Sequence, residues 1–546
     1  MNMDENKTTI YDKKGYKTMK DIKIACIFDV FTYACFKDIC NFIKIRPDNW
    51  KEIFEKENPD FFMIESVWKG NDGTWMSGRN LVRNEDLKEV ILWCNNNNIP
   101  TVFWNKEDPA NFNEFIHVAK LFDYIFTSDE NTVKEYKKYV NHDNIYPLMF
   151  AANPIIHNPI KIIDKRIEKC CFAGTFYRDE YKERGERIKL LLDASLKSWG
   201  VDIYDRTLNL GIDKYAFPDE YKQYVKGTLT QDEIQLANKG YKVMLNVNIV
   251  DDSPTMFARR VFEGLASYTP VVSTKSIGVK EVFEGLVVAS DDEKELYEEM
   301  VKLNEKEYYE KKALQGMRLV LNNHTSTNRM VYILEKLNIK YYHTIPDVAL
   351  ICEVYNKEGY IKAKSIFERQ IYRDKKLFII IKDENINIEI DEQNKNIYII
   401  NKNILDNKDE FIKLLNCDYI SVINLNNYYG AYYINDLINA TLYSDAEIIG
   451  KKSFYSHCKY KLLNKDSISI QNENEDFQYV SSLDLDKSIF KTSILKDKNI
   501  NSIEEIINSD KIDLFRFGCR YLSIDKFNFI ENGSEVDDKI RRKIDI

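Results

Sequence analysis

The chain has 546 residues, 44% of them hydrophobic and 30% charged, and a formal net charge of −9. A chain of this length forms several domains, and its interspersed charges leave no continuous basic surface for nucleic acid. The polar residues 1–20 predict a disordered tail. No apolar segment is long enough for a membrane helix, and the start of the chain has no signal-peptide pattern, so we expect a cytoplasmic protein.

The ten cysteines and six histidines are scattered along the chain. They form neither a CxxC pair nor the histidine spacing of a metal site. We therefore expect reduced cysteines inside cores and no bound metal.

Residues 21–160 predict an N-terminal Rossmann-like domain, because short apolar runs alternate with amphipathic segments of helical length. Each run ends in polar residues, as in DIKIACIFDVF and PTVFWNKEDP. Ligands of open parallel sheets bind beyond the carboxyl ends of the strands. The sequence therefore predicts a substrate cleft formed by the residues at these ends, which are Asp29, Glu65, Ser66, Trp68, Asn105, Glu107 and Asp108.

A second series of strands and helices over residues 161–343 predicts another Rossmann-like domain, after a Pro-rich connector at 153–165. Its first strand runs into Gly174 and Thr175 and then into a helix with three arginines, Arg178, Arg184 and Arg187. Backbone amides, a helix N-terminus and guanidinium groups suit a diphosphate. The alternative is an ordinary strand-to-helix turn followed by a solvated basic helix.

The segment SPTMFARRVFEGLASYTPVVSTKSIGVKEVFEG (253–285) predicts a helix from about Thr255 to Ala266, then a short strand and a loop that leads to Glu281. A carboxylate such as Glu263 accepts hydrogen bonds from ribose hydroxyls, and an adjacent arginine such as Arg260 neutralises phosphate. The alternative is a salt-bridged helix on the surface.

Several segments, in order over about residues 22–338, resemble the GT-B glycosyltransferases, and specifically the CgeB-type spore-maturation family. They include PDFFMIESVWKGNDGTW, PTVFWNKEDPANF, FAGTFYRDEY, RRVFEGLASYTPVVST and NNHTSTNRM. The resemblance implies two Rossmann-like domains and a nucleotide-diphosphate sugar as the donor substrate. It also implies no metal or other cofactor, because helix dipoles and basic side chains offset the charge of the leaving group.

The resemblance also implies where the donor binds. Many retaining enzymes of this fold have two glutamates eight positions apart, but Thr255 stands at the first of these positions, so contacts with the donor sugar stay open. The residues implied at the donor are Gly174, Thr175, Arg178, Arg260, Glu263 and Glu281.

Glu107 and Asp108 follow a predicted strand of the first domain and are candidates for the general base that activates the acceptor. The alternative is that Asp108 caps a helix that begins at Pro109.

Glu65, Trp68 and Trp104 are candidates for contact with the acceptor, since indole faces stack on sugar rings. Core packing is the alternative for each tryptophan, and Asp29 is a further candidate carboxylate.

Residues 344–546 resemble a different type, the GT-A fold of family-2 glycosyltransferases, through the segment 348–384. Where those enzymes have an aspartate-rich metal motif, this chain has Asn424, Asn426 and Asn427. Amides bind a divalent cation more weakly than carboxylates do. We therefore predict a degenerate GT-A-like module that acts in acceptor binding or assembly.

Together these features predict an α/β protein of GT-B architecture with a C-terminal GT-A-like domain. The predicted function is a metal-independent, hexosyltransferase-like glycosyltransferase that moves a sugar to a glycan or protein acceptor on a spore or cell surface. The alternative is a catalytically inactive binding or scaffold protein in surface-glycan assembly. A Rossmann dehydrogenase fits less well, because no GxGxxG follows the strand that ends at Asp29. The donor sugar, the anomeric outcome and homo-oligomer formation stay open.

Overall fold

A computed structural model of the chain forms two compact units, Met1–His343 and Thr344–Ile546. Most of the predicted disordered tail lies outside the described residues, but strand β1 (Lys17–Thr18) pairs in parallel with Tyr341–Tyr342. The structure describes residues 16–75, 85–178, 182–342, 345–383, 395–460, 465–497 and 518–546.

The first half of unit 1 is a parallel six-stranded sheet with strand order β3-β2-β4-β5-β6-β7. Successive residues of its strands enter two cores on opposite faces, Ala25 and Phe62 on one and Cys26 and Phe61 on the other. This explains the continuous apolar runs. The strands are β2 (Lys23–Ile27), β3 (Asn41–Lys44), β4 (Phe61–Glu65), β5 (Thr101–Asn105), β6 (Tyr124–Thr127) and β7 (Ile145–Pro147), and the helices are α1 (Val30–Phe36), α2 (Trp50–Glu57), α3 (Glu85–Asn96), α4 (Phe112–Ala119) and α5 (Val133–Tyr136).

The second half of unit 1 is another parallel six-stranded sheet, with strand order β10-β9-β8-β11-β12-β13. The prediction of two Rossmann-like sheets is confirmed. The strands are β8 (Ile167–Gly174), β9 (Val201–Asp205), β10 (Val225–Gly227), β11 (Tyr241–Asn246), β12 (Val271–Ser273), β13 (Val288–Ala289) and β14 (Tyr341–Tyr342). The helices are α6 (Lys182–Ser198), α7 (Asp219–Lys222), α8 (Gln235–Lys239), α9 (Arg260–Ala266), α10 (Ile277–Phe283), α11 (Glu293–Lys302), α12 (Lys306–Asn323) and α13 (Ser326–Lys336).

The last helix of unit 1 returns to the first sheet. Met330, Ile333 and Leu334 of α13 are fully buried in the core that also contains Ile24 and Phe61. Burial of such side chains stabilises the protein by about 1.5–3 kcal/mol each. The chain thus crosses back after the second half, which holds the two sheets in one unit.

The loop before α9 also joins the two halves. The Ser253 hydroxyl donates to Asp129 Oδ1 at 2.6 Å, and the Thr255 hydroxyl donates to the carbonyl of Ser128 at 2.9 Å. The backbone N–H of Glu130 donates to Thr255 Oγ1 at 2.8 Å. Because these side chains bind the first half, the helix predicted from Thr255 begins only at the start of α9.

Unit 2 contains a mixed eight-stranded sheet, of order β17-β16-β15-β18-β24-β20-β25-β23, and a four-stranded sheet, of order β19-β26-β21-β22. The predicted α/β class is confirmed. The strands are β15 (Val348–Val354), β16 (Lys375–Ile381), β17 (Ile397–Asn401), β18 (Tyr419–Val422), β19 (Tyr428–Tyr429), β20 (Ile448–Gly450), β21 (Phe454–Tyr460), β22 (Lys465–Gln471), β23 (Gln478–Val480), β24 (Ser488–Lys491), β25 (Tyr521–Ser523) and β26 (Phe529–Glu531). The helices are α14 (Lys357–Arg369), α15 (Lys408–Leu415), α16 (Tyr433–Ala440), α17 (Ser493–Asp497) and α18 (Asp538–Ile544).

Candidate functional site

The carboxyl end of β8 and the start of α9 meet at one place in unit 1. A Cβ atom added at Gly174 would lie 3.7 Å from Arg260 Nη1. The guanidinium carbon of Arg260 is 5.9 Å from the ring centroid of Phe172, which belongs to the same strand. The structure therefore brings together two of the predicted donor residues, Gly174 and Arg260, from separate segments of the chain.

Arg260 lies in a cluster of positive charge. Burial is the main cause that lowers the pKa of Arg260 to about 10, and the charges of Arg184, Arg259 and Arg206 also lower it, while Glu263 raises it. We call Arg184, Arg206, Arg259 and Arg260 the arginine cluster. Like charges close to one another repel, and a bound anion offsets that repulsion. The cluster is therefore suited to a ligand with more than one negative charge.

Thr175 follows Gly174 at the end of β8 and has an unusual hydroxyl. Its Oγ1 atom is buried and has no hydrogen-bond partner among the residues that the structure describes. A buried hydroxyl without a partner costs about 1–3 kcal/mol. A ligand oxygen at this strand end would provide the missing hydrogen bond.

Glu263 lies on α9 beside the arginine cluster. Its Oε1 atom is 3.2 Å from Arg259 Nε and 3.8 Å from His157 Nε2. Burial lowers the pKa of His157, which favours the neutral imidazole. The guanidinium of Arg259 also stacks 4.4 Å from the ring centroid of Phe31, a residue of the first half. Glu263 is thus held at the boundary between the two halves.

The other two predicted donor residues have different surroundings. Arg178 is exposed, and its side chain donates to the carbonyls of Ala216 and Phe217 at 2.9 and 3.2 Å. Glu281 occupies an exposed position of α10. Within the described chain, neither residue forms a hydrogen bond or an ion pair with the arginine cluster. Their contact with a donor stays a prediction.

A buried ion-pair network occupies the carboxyl ends of the strands in the first half. Lys106 Nζ is 2.5 Å from Asp29 Oδ2 and 2.6 Å from Glu65 Oε2. Glu65 is fully buried, and burial raises the pKa of its carboxyl. The predicted acceptor residue Glu65 is therefore enclosed, where it pairs with Lys106 and accepts hydrogen bonds from the N–H of Asp29 and the hydroxyl of Thr32.

Asp29 is the accessible carboxylate of this network, with 34% of its side chain exposed. Burial acts to raise the pKa of Asp29, but the charge of Lys106, hydrogen bonds from Lys106 and Thr32, and the charge of Arg259 lower it overall. Its Oδ1 atom accepts the N–H of Thr32 at 2.6 Å, which caps α1. Asp29 is therefore an ionised, partly exposed carboxylate that faces the positive charge of Arg259 in the second half.

Asp108, a predicted catalytic residue, is fully buried. Its Oδ2 atom accepts hydrogen bonds from the hydroxyls of Thr127 and Tyr136 at 2.6 and 2.8 Å, and its Oδ1 atom accepts from Asn105 Nδ2 at 2.7 Å. Burial raises the pKa of Asp108 to about 7. Asp108 does not cap a helix, because α4 begins later, after Asn111. Asp108 instead fixes the loop after β5 from inside the protein.

The stability of unit 1 is expected to fall as the pH rises through the pKa of Asp108. The folded carboxyl binds its proton up to about pH 7, above the ordinary value of 3.8, so the folded chain binds more protons than the unfolded chain between these values. The Asp108 contribution therefore weakens by about 2–3 kcal/mol between about pH 5 and pH 8. Urea unfolding at both pH values should show a smaller fall for Asp108→Asn than for the wild type. Equal falls would contradict this prediction.

Three further predicted residues differ in exposure. Trp68 is 38% exposed, and its ring centroid lies 5.0 Å from the ring centroid of Phe115. Trp104 is buried, and its indole N–H donates to the carbonyl of Leu148 at 3.2 Å. Glu107 is half-buried. Trp68 and Glu107 therefore reach solvent, whereas Trp104 lies in the core, and contact of these residues with an acceptor stays a prediction.

Residues 185–335, from α6 to α13, match the family model described as "Glycosyl transferase-like". A glycosyltransferase from Rickettsia africae ESF-5 has a structure similar to part of this chain, with 11% identity, a TM-score of 0.39, and coverage of 58% of this chain and 98% of that one. The structure of HepE from Anabaena in complex with UDP-glucose is also similar, with 12% identity, a TM-score of 0.37, and coverage of 58% and 100%. No match was found among curated proteins. The family match assigns a glycosyltransferase-like domain to residues 185–335 of this α/β protein.

Two other features bear on function. In the described ranges, no three histidine, cysteine or acidic side chains lie together as metal ligands would. The same ranges contain no helix long and apolar enough to cross a membrane.

Proposed function

We propose that unit 1 transfers a sugar from a nucleotide-diphosphate sugar to a glycan or protein acceptor. The observation that carries this proposal is the arginine cluster beside Gly174 and the unpaired hydroxyl of Thr175. In the transfer, the acceptor oxygen bonds to the anomeric carbon while the bond from that carbon to the phosphate oxygen breaks. The departing diphosphate takes the electron pair, and the guanidinium groups offset its growing charge.

Each donor residue has a distinct part in this proposal. Arg260 and its neighbours bind the diphosphate, and Thr175 donates to a phosphate oxygen. A side chain at position 174 would occupy the space beside Arg260 Nη1 and would approach the Phe172 ring to 3.1 Å, so glycine lets the ligand come close. Glu263 accepts hydrogen bonds from the ribose hydroxyls.

The acceptor side of the site contains two carboxylates that reach solvent, Asp29 and Glu107. We assign the base to Asp29, because 34% of its side chain is exposed and its charge faces Arg259 of the second half. The acceptor proton passes to this carboxylate as the new glycosidic bond forms. Glu107 is the second candidate, whereas Asp108 is enclosed by its hydrogen bonds.

The proposed reaction uses the arginine cluster where other transferases use a divalent cation, so donor binding should not depend on metal. The resemblance to the CgeB-type family favours a spore or cell-surface glycan as the acceptor.

A thermal-shift panel of nucleotide sugars, beginning with UDP-glucose, tests the proposed donor site. One donor is expected to raise the Tm equally with and without EDTA, because a ligand that binds only the folded chain stabilises it. Glu263→Ala should reduce that rise, since it removes the ribose contact. The matched control is Glu298→Ala, which removes an exposed carboxylate of α11.

Three results would contradict parts of the proposal. If no donor changes the Tm, the nucleotide-sugar site is wrong. A rise that EDTA abolishes contradicts metal independence. Donor binding without transfer to any acceptor supports the catalytically inactive scaffold protein instead.

A further inference from the structure

A crevice with a volume of about 410 Å³ opens in unit 2 at the carboxyl ends of β15 and β18. These two strands are parallel neighbours, and α14 begins beside them. This edge of a parallel sheet is the usual position for a ligand. We call this space the β15–β18 crevice, and its polar lining includes Glu353, Tyr355, Asn356, Asn424, Asn426 and Asp486.

The charges of the crevice do not suit a phosphate. Its lining has three carboxylates, Glu353, Glu358 and Asp486, and one cation, Lys362. Lys362 Nζ lies 3.5 Å from Glu358 Oε1, so its charge is already partly offset. Lys382 Nζ likewise lies 2.9 Å from Glu353 Oε1, so the charges at the crevice are largely paired with one another, in contrast to the arginine cluster of unit 1. The crevice therefore favours a ligand without charge.

The polar groups of the crevice are held in place by hydrogen bonds. Asn424 Oδ1 accepts the backbone N–H of Asn426 at 3.0 Å, and the backbone N–H of Asn424 donates to the Tyr429 hydroxyl at 3.0 Å. Asp486 Oδ2 accepts from Asn427 Nδ2 at 2.9 Å. Fixed amides donate and accept hydrogen bonds and carboxylates accept them, which together matches the hydroxyl groups of a sugar. Amides in this loop also make it a weak site for a divalent cation.

An aromatic side chain stands at the crevice. Tyr355 is 62% exposed, and its hydroxyl donates to Glu353 Oε2 at 3.2 Å, which orients the ring. A tyrosine ring combines an apolar face with a hydroxyl that forms hydrogen bonds. Its face can pack against the C–H groups of a sugar ring while the fixed polar side chains bind the hydroxyls.

We propose that the β15–β18 crevice binds a neutral carbohydrate and needs no divalent cation to do so. This binding site lies in unit 2 and does not depend on the function proposed for unit 1. Its ligand class differs from that of the arginine cluster, since one site takes hydroxyl groups and the other takes phosphates.

Saturation-transfer difference NMR on the full chain tests this site. The probes are the methyl glycosides of glucose, galactose, mannose, rhamnose and N-acetylglucosamine, all in EDTA. At least one probe should give a signal, and Tyr355→Ala should weaken its binding about fivefold by removing the stacking face. Tyr355→Phe is the matched control and should keep the signal, because it keeps the ring. The signal should also persist in Arg260→Ala, which separates it from the donor site.

Asp486→Asn is a second variant of the crevice. The Tm of each variant is measured to show that the variant is folded. Because Tyr355 is exposed, its alanine variant keeps the core intact. The proposal is overturned if no probe gives a signal, or if the signal is the same in Tyr355→Ala and the wild type. It is also overturned if UDP with Mn²⁺ binds in an Asp486-dependent way and EDTA removes it, because the crevice is then a nucleotide site.

Discussion

Arg260→Ala is expected to weaken donor binding strongly while leaving the fold of unit 1 intact. Arg260 belongs to the arginine cluster, and its removal takes away the charged hydrogen-bond donor beside Gly174. A hydrogen bond from a charged group contributes about 1.5–3 kcal/mol, which corresponds to a roughly 10- to 150-fold weaker Kd. Isothermal titration with the nucleotide sugar that raises the Tm would measure this loss.

The same substitution should relieve repulsion in the chain without ligand. Because Arg184, Arg206 and Arg259 act against the charge of Arg260, the variant without donor should be at least as stable to urea as the wild type. Arg520→Ala is the matched control, because it removes one exposed arginine charge in unit 2 and should leave donor binding unchanged. Equal donor affinity for Arg260→Ala and the wild type would remove the basis of the proposed site.

The sequence predicts that Gly174 and Arg260 lie together, because strand ends in a parallel sheet converge. Gly174 ends one strand and Arg260 begins a helix after its neighbour, so their proximity follows from the predicted order of elements. Arg206 was not predicted, although it directly follows β9 and so reaches the same edge. The rule that identified Gly174 would have identified Arg206 as well.

The acceptor side was harder to predict, because side chains in one loop differ in direction. Glu107 and Asp108 are neighbours at the end of β5, but only tertiary packing decides that Asp108 is enclosed by Thr127 and Tyr136. Lys106, in the same loop, was not singled out. Its partners come from two other strand ends, and no local pattern in the sequence pairs them.

The sequence patterns also did not predict two short strands. Strands β3 and β10 have four and three residues, too few for a periodic apolar pattern to be distinguished from a loop. Both lie at sheet edges, where partial exposure weakens the apolar signal.

Asp29→Asn is expected to reduce transfer by about 100- to 10,000-fold, the usual contribution of a general base, and to leave donor affinity unchanged. Asparagine also caps helices, so the hydrogen bond to the N–H of Thr32 and the start of α1 are retained. The measurement compares kcat with donor Kd for the wild type, Asp29→Asn and the matched variant Glu107→Gln. A large loss in Glu107→Gln together with an active Asp29→Asn would move the base to Glu107.

The pH dependence separates a base from a residue that only positions the acceptor. A base acts in its ionised form, so kcat of the wild type should rise with pH through the pKa of Asp29. Since Lys106 and Arg259 contribute to lowering that pKa, the rise should be complete at a lower pH than for an ordinary aspartate. Asp29→Asn should lose this acidic limb and keep a low, constant rate. If the variant keeps the same acidic limb, another group accepts the proton.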